Sequence, residues 1–160
     1  MNIALIALTE EGLKTARRIG TGFDPPPSTY IFNKTGEGNN CSTEDKTPPY
    51  IRPFSEPLQQ LVNRIFKHYD GLVFVMAMGI VVRMIAQNIL DKYTDPAVVV
   101  VDDVGRFVIS VLSGHEGGAN LLAHRIAAIL HTDAVITTGT EAQKDIIVGI
   151  GCKKGVRSEA

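Results

Sequence analysis

Short runs in which nearly every residue is apolar alternate along this chain with segments of helical period, and that alternation constrains the fold most. Asn2 to Leu8 carries Ile3, Leu5, Ile6 and Leu8 and is bounded by Thr9. Leu72 to Ala77 reads LVFVMA, and Val98 to Val101 is all valine. Such runs are too short for helices. Apolar on both faces, they suit parallel strands covered by helices on either side. Ser28 to Asn33, Ala134 to Thr138 and Ile146 to Ile150 are further strand-like segments. Phe107 to Leu112 is predicted to pair with Val98 to Val101 as a hairpin, across the short turn Asp102 to Arg106.

Helical segments fill the gaps. Thr9 predicts the N-cap of a helix running to about Ile19, with Arg17 and Arg18 near its C-terminus, where cations are favoured. Ser55 predicts the next N-cap, ahead of Leu58, Leu61, Val62, Ile65 and Phe66 on one helical face. Gly79 ends the LVFVMA strand, and a helix follows through about Asn88. Ser113 to Asn120 (SGHEGGAN) opens a longer helix with Ala119, Leu122, Ala123, Ile126 and Ile129 or Leu130 facing the core. The pattern predicts an α/β fold, a three-layer α/β/α arrangement with a largely parallel sheet.

At 160 residues the chain is long enough for one well-formed core. Residues 24–53 hold Pro25, Pro26, Pro27, Pro48, Pro49 and Pro53, and 34–47 is so polar that it reads as a mobile insertion. Residues 1–142 are expected to form the N-terminal α/β domain, and 143–160 the truncated start of a further domain. The formal net charge of −1 makes no electrostatic case for nucleic acid or an anionic membrane. No apolar run reaches a membrane span, and the N-terminus lacks a secretory pattern, so a cytoplasmic location is expected. Cys41 and Cys152, far apart, read as reduced thiols rather than a disulfide or zinc pair. His68, His124 and His131 fall on predicted helices in structural roles, and no metal spacing occurs.

Three segments carry candidate chemistry at strand ends, where α/β sheets bind ligands. In VMAMGIVVR (75–83), Gly79 allows a tight turn, the following helix N-terminus can hold an anion, and Arg83 can clasp a carboxylate. In SGHEGGAN, Gly114, Gly117 and Gly118 can aim backbone N–H groups at one point. Ser113 and Asn120 add neutral hydrogen bonds. His115 suits general-base work near neutrality, and Glu116 can orient it or act as the base. In ITTGTE (136–141), the hydroxyls of Thr137, Thr138 and Thr140 precede Glu141. Asp102 and Asp103 can act as acid or base, although turns often carry Asp. Dinucleotide, Walker and hydrolase-elbow motifs are absent.

MGIVVRMIA, DPAVVVVDDVGRFVISVLSGHEGGANLLAHRIA and VITTGTE together resemble the cobalt-precorrin-5A hydrolase family, cobalamin biosynthesis protein G of the anaerobic vitamin B12 pathway. The likeness covers about residues 71–141, and 146–159 (IIVGIGCKKGVRSE) resembles the start of that family's C-terminal domain. Gly139 stands where the family usually has alanine. The resemblance implies hydrolytic opening of the δ-lactone of cobalt-precorrin-5A, with release of acetaldehyde, to give cobalt-precorrin-5B. It implies a small-molecule tetrapyrrole substrate and no cofactor, cobalt being part of that substrate. His115 or Glu116 would be the base, Gly117 and Gly118 the oxyanion donors, and the helix starts after Gly79 and Gly114, with Arg83, carboxylate anchors. The expected partner is a C-terminal domain on another chain or a second copy of this one. Two other readings stay open: a non-catalytic tetrapyrrole- or partner-binding domain, and a phosphate-binding flavodoxin-like module.

Overall fold

The computed structural model describes residues 1–33 and 49–139. The insertion expected at 34–47, the strand Ile146–Ile150, the domain start at 143–160, Thr140, Glu141, Cys41 and Cys152 lie outside them.

Seven strands form one sheet. They are β1 (Ile3–Ala7), β2 (Ser28–Phe32), β3 (Ile51–Phe54), β4 (Gly71–Val75), β5 (Ala97–Val101), β6 (Val108–Leu112) and β7 (Ala134–Val135). Their order is β3-β2-β1-β4-β5-β6-β7. All neighbours are parallel except β5 and β6, which form the expected antiparallel hairpin. The helices are α1 (Glu10–Gly20), α2 (Leu58–Ile65), α3 (Met78–Ile85) and α4 (Ala119–Leu130).

Side-chain alternation sorts the core into two layers. Leu5, Ala7, Val73, Val75, Val99 and Val101 pack with Ala16 and Ile19 of α1 and with Leu122, Ala123 and Ile126 of α4. Ala4, Ile6, Leu72, Phe74, Val98 and Val100 pack on the other face, against Leu61, Val62 and Ile65 of α2 and Val81 and Ile85 of α3. The predicted three-layer fold is the observed one. Thr9 caps α1 as predicted, its hydroxyl accepting from the Gly12 amide at 2.9 Å.

Four expectations change. β3 sits where the proline-rich stretch predicted no structure. It pairs Pro53 with Ile31 at the sheet edge, where a residue without an N–H leaves no ladder bond unmade. Ser55 is not a cap: Pro57 precedes α2, without a side-chain bond. Gly79 does not end β4; Ala77 is the N-cap and Gly79 lies inside α3. β7 is only Ala134–Val135, so Thr137 and Thr138 follow a strand rather than lie in it.

The antiparallel step has a large consequence for sites. Because β6 runs against β5, its C-terminal end lies at the start of the parallel strands. Five-residue strands put the two sheet ends roughly 16 Å apart. The loop after β6 and the turn after β4 are therefore at opposite ends of the sheet.

Candidate functional site

The glycine loop 113–118 joins β6 to α4. It is pinned at both ends by bonds its own composition allows. Ser113 has φ 56°, a left-handed conformation uncommon for a residue with a Cβ. It is held there because its hydroxyl donates to the Asp95 carbonyl at 3.0 Å while its own carbonyl accepts from the Ala119 amide at 3.1 Å. Gly118, at φ 80°, is the turn into α4. Gly114 and Gly117 are glycine for lack of room. A Cβ on Gly117 would lie 2.5 Å from Ser113 Cβ, and one on Gly114 would lie 2.8 Å from Asn120 Oδ1.

Asn120 and Thr138 do meet, as the predicted neighbourhood of the two segments requires. Asn120 Nδ2 donates to Thr138 Oγ1 at 2.9 Å, and Ser110 Oγ donates to Asn120 Oδ1 at 2.8 Å. Asn120 is buried, so its amide ties α4 to β6 and to the chain after β7 rather than facing a ligand. The α4 start is likewise occupied. The amides of Gly118, Ala119 and Asn120 donate to the carbonyls of His115, Ser113 and Gly114. The Gly118 amide is thus spent on His115, so of the two expected oxyanion donors, the Gly117 amide is the one not spent inside the loop.

His115 and Glu116 are exposed at the loop's crest, and neither side chain bonds to another described residue. In particular, Glu116 does not orient His115. The crest lies between two grooves. One, of about 450 Å³, is lined by Glu116 and Gly117 with Lys67, Tyr69 and Tyr93. The other, of about 700 Å³, begins at Gly118 and runs along Phe23, Pro25, Leu121 and Arg125. Sequence patterning gave no sign of the second groove, whose walls come from distant segments.

Gly79 and Arg83 are not part of this site. They sit at the opposite end of the sheet, and Arg83 Nη1 donates back to the Gly79 carbonyl at 3.2 Å within α3. A Cβ on Gly79 would meet only Arg83 Nη1, at an ordinary 3.8 Å, so no close packing explains the glycine. At that end β1 and β4 lie side by side and lead into helices on opposite faces, the crevice where such sheets commonly bind ligands. Asp103 reaches it: Oδ2 accepts from Thr9 Oγ at 3.3 Å, and buried Oδ1 has no partner among the described residues. Asp102 is a turn residue, its Oδ1 accepting from the Arg106 and Phe107 amides at 2.6 and 2.7 Å. Among the described residues no three His, Cys, Asp or Glu side chains gather as a metal site would. No described helix is long and apolar enough to cross a membrane.

Known proteins resemble this chain over most of its length. The profile of the family described as Cobalamin synthesis G N-terminal matches residues 60–141. A cobalt-precorrin-5A hydrolase of Priestia megaterium is 42% identical over 151 residues, covering 94% of this chain and 38% of that protein. Another, of Salmonella typhimurium, is 38% identical over 143 residues, 89% of this chain and 37% of that protein. The chain thus spans under two-fifths of the length of these relatives. A solved structure of a cobalamin biosynthesis protein G homolog from Sulfolobus solfataricus superposes with a TM-score of 0.61, over 99% of this chain and 50% of that one. At 22% identity, that likeness shows the fold.

Proposed function

The chain belongs to the Cobalamin synthesis G N-terminal family, and from that premise we propose that it acts in hydrolytic opening of the δ-lactone of cobalt-precorrin-5A. The substrate in this reading is a tetrapyrrole with peripheral carboxylates. Its cobalt belongs to the substrate, and the reaction takes place in the cytoplasm, where Cys41 and Cys152 stay reduced.

The observation that carries the reading is the position of His115 and Glu116, exposed on a pinned loop between two grooves. An imidazole or carboxylate there takes the proton from water as the oxygen attacks the lactone carbonyl. The Gly117 amide, unspent within the loop, donates to the oxyanion that forms. The acyl–oxygen bond breaks and the ring oxygen takes a proton, leaving a carboxylate and an alcohol. That hydroxyl then gives up its proton as its C=O forms, the carbon–carbon bond to the macrocycle breaks with its electron pair passing to the macrocycle, and the two-carbon unit leaves as acetaldehyde, giving cobalt-precorrin-5B.

A further domain is part of the proposal. α3 exposes Met78, Ile80 and Val82, at 37%, 36% and 49%, and Ile89 and Leu90 follow on the exposed side. An apolar face of this kind on a soluble domain marks an interaction surface. The relatives carry most of their length beyond the part matched here, and that length supplies the occupant.

Incubating the chain with cobalt-precorrin-5A and trapping acetaldehyde tests the function. Aldehyde release that is lost in His115→Ala or Glu116→Ala supports it. Aldehyde release that survives both substitutions removes the loop from the chemistry. Tetrapyrrole bound without aldehyde, even with the further domain supplied, reduces the role to binding.

A further inference from the structure

The groove of about 700 Å³ beside Gly118 has an unusual wall. The segment after α1 is clamped against α4 at Gly22, where a Cβ would collide with Ile129. That close approach presents the Gly22 carbonyl to Arg125, whose Nη2 donates to it at 2.9 Å. It also lays the Phe23 ring against the guanidinium, 4.0 Å from Cζ to the ring centroid. The stack and the carbonyl hold the planar fork in one orientation. No carboxylate of the described residues forms a salt bridge with it. The rest of the lining is mixed: Met1, Ile3, Pro25, Pro26, Leu121 and Leu122 are apolar, and Asn2, Asp24 and Ser28 are polar.

We propose that this groove is a carboxylate subsite, in which Arg125 receives the carboxylate of an amphipathic ligand whose apolar body lies on Pro25, Pro26 and Leu121. A neutralised arginine would need no such recess, and a purely apolar ligand would need no cation. Leu121 is 77% exposed at the groove's edge, an area that such a body covers. The inference rests on the function proposed above for its ligand: the carboxylate is one of the peripheral acid chains of the tetrapyrrole. The groove adjoins Gly118, so a macrocycle anchored there extends over the His115 crest.

The test uses the whole chain and uroporphyrin III, a tetrapyrrole with carboxylate side chains, followed by absorbance. A cationic tetrapyridinium porphyrin, which has no carboxylate, is the control. Arg125→Gln is expected to weaken uroporphyrin binding about tenfold or more, the range of a lost charge-assisted bond. Arg125→Lys is expected to recover part of that loss, since an ammonium restores charge but not the fork. Because Arg125 also holds residues 22 and 23, the thermal midpoint of each variant is recorded, and Phe23→Leu, which loosens the stack but keeps the charge, should weaken binding less. Equal affinity in Arg125→Gln and the unsubstituted chain overturns the proposal, as does equal affinity for the cationic porphyrin. Where uroporphyrin does not bind, the Arg125 Nε resonance is followed during a glutarate titration. A saturable shift there keeps the carboxylate subsite while removing the tetrapyrrole, and no shift overturns the subsite. Failure of acetaldehyde release with Arg125-dependent binding intact sinks the proposed reaction but not the groove.

Discussion

Asn120→Ala separates a structural amide from a ligand-binding one. The side chain is 3% exposed, and its bonds reach Ser110 at 2.8 Å and Thr138 at 2.9 Å. Truncation removes both bonds, each worth about 1 kcal/mol net, and leaves the buried Ser110 hydroxyl stranded at a further cost of about 1–3 kcal/mol. A loss on the order of 3–5 kcal/mol follows, which lowers the thermal midpoint by roughly 6–20 °C in a chain of this size. Calorimetry or thermal circular dichroism reads it. The double variant Ser110→Ala with Asn120→Ala is expected to cost less than the sum of the singles, by about 1 kcal/mol, because no hydroxyl is then left without its acceptor. Additive costs, or a midpoint within about 1 °C of the parent, would refute the clamp. A stable Asn120→Ala that fails to bind tetrapyrrole would return Asn120 to the ligand.

Two glycines give opposite expectations. Gly117→Ala puts a methyl 2.5 Å from Ser113 Cβ and 2.9 Å from Ser113 O, and is expected to destabilise by about 1–3 kcal/mol in a denaturant titration. Gly79→Ala meets only Arg83 Nη1 at 3.8 Å inside a helix, so it should stabilise by up to about 1 kcal/mol. Tyr30 is held above its ordinary pKa of 10.0, by burial first and then by the hydrogen bond with Tyr69. Its stabilising contribution is complete below pH 10 and is lost as pH rises through the folded value, so Tyr30→Phe should flatten the alkaline limb of a stability-against-pH curve. Val82→Glu on α3 should leave the midpoint of this chain within about 1 °C and weaken capture of the further domain by tenfold or more in a pull-down titration. Unchanged capture, or a loss of self-association instead, would reassign that face to a second copy.

What was legible in the sequence followed from local physics. β1, β4 and β5 are apolar at every position because both faces are covered, and the Thr9 cap needs only its own neighbours. β3 was not legible, because Arg52 and Pro53 break the pattern and only an edge position, known from the assembled sheet, excuses them. The glycines of SGHEGGAN were visible, but their use was not. Gly114 and Gly117 yield space to Asn120 and Ser113, contacts that exist only after folding. Arg125 had no signal at all, since Gly22 and Phe23 lie about a hundred positions away.

The hairpin between β5 and β6 explains why the three predicted segments divide as they do. Ligands favour the carboxyl ends of parallel strands because helix N-termini converge there with unspent amides. A strand that reverses direction carries its following loop to the other end, where the neighbouring segments are starts of strands rather than starts of helices. SGHEGGAN therefore cannot draw on the α1 or α3 N-termini for anion binding. It must supply its own donors, and the first two amides of α4, of Ala119 and Asn120, are already spent on Ser113 and Gly114. Positive charge at that end has to come from side chains, and Arg125 and Lys67 line the two grooves that flank the crest. A polycarboxylate bound there is held by these cations and released by salt. One bound at the α3 end would be held by backbone dipoles and Arg83. The salt dependence of tetrapyrrole affinity in Arg125→Gln and Arg83→Gln therefore locates the ligand: the slope falls in the first and stays unchanged in the second.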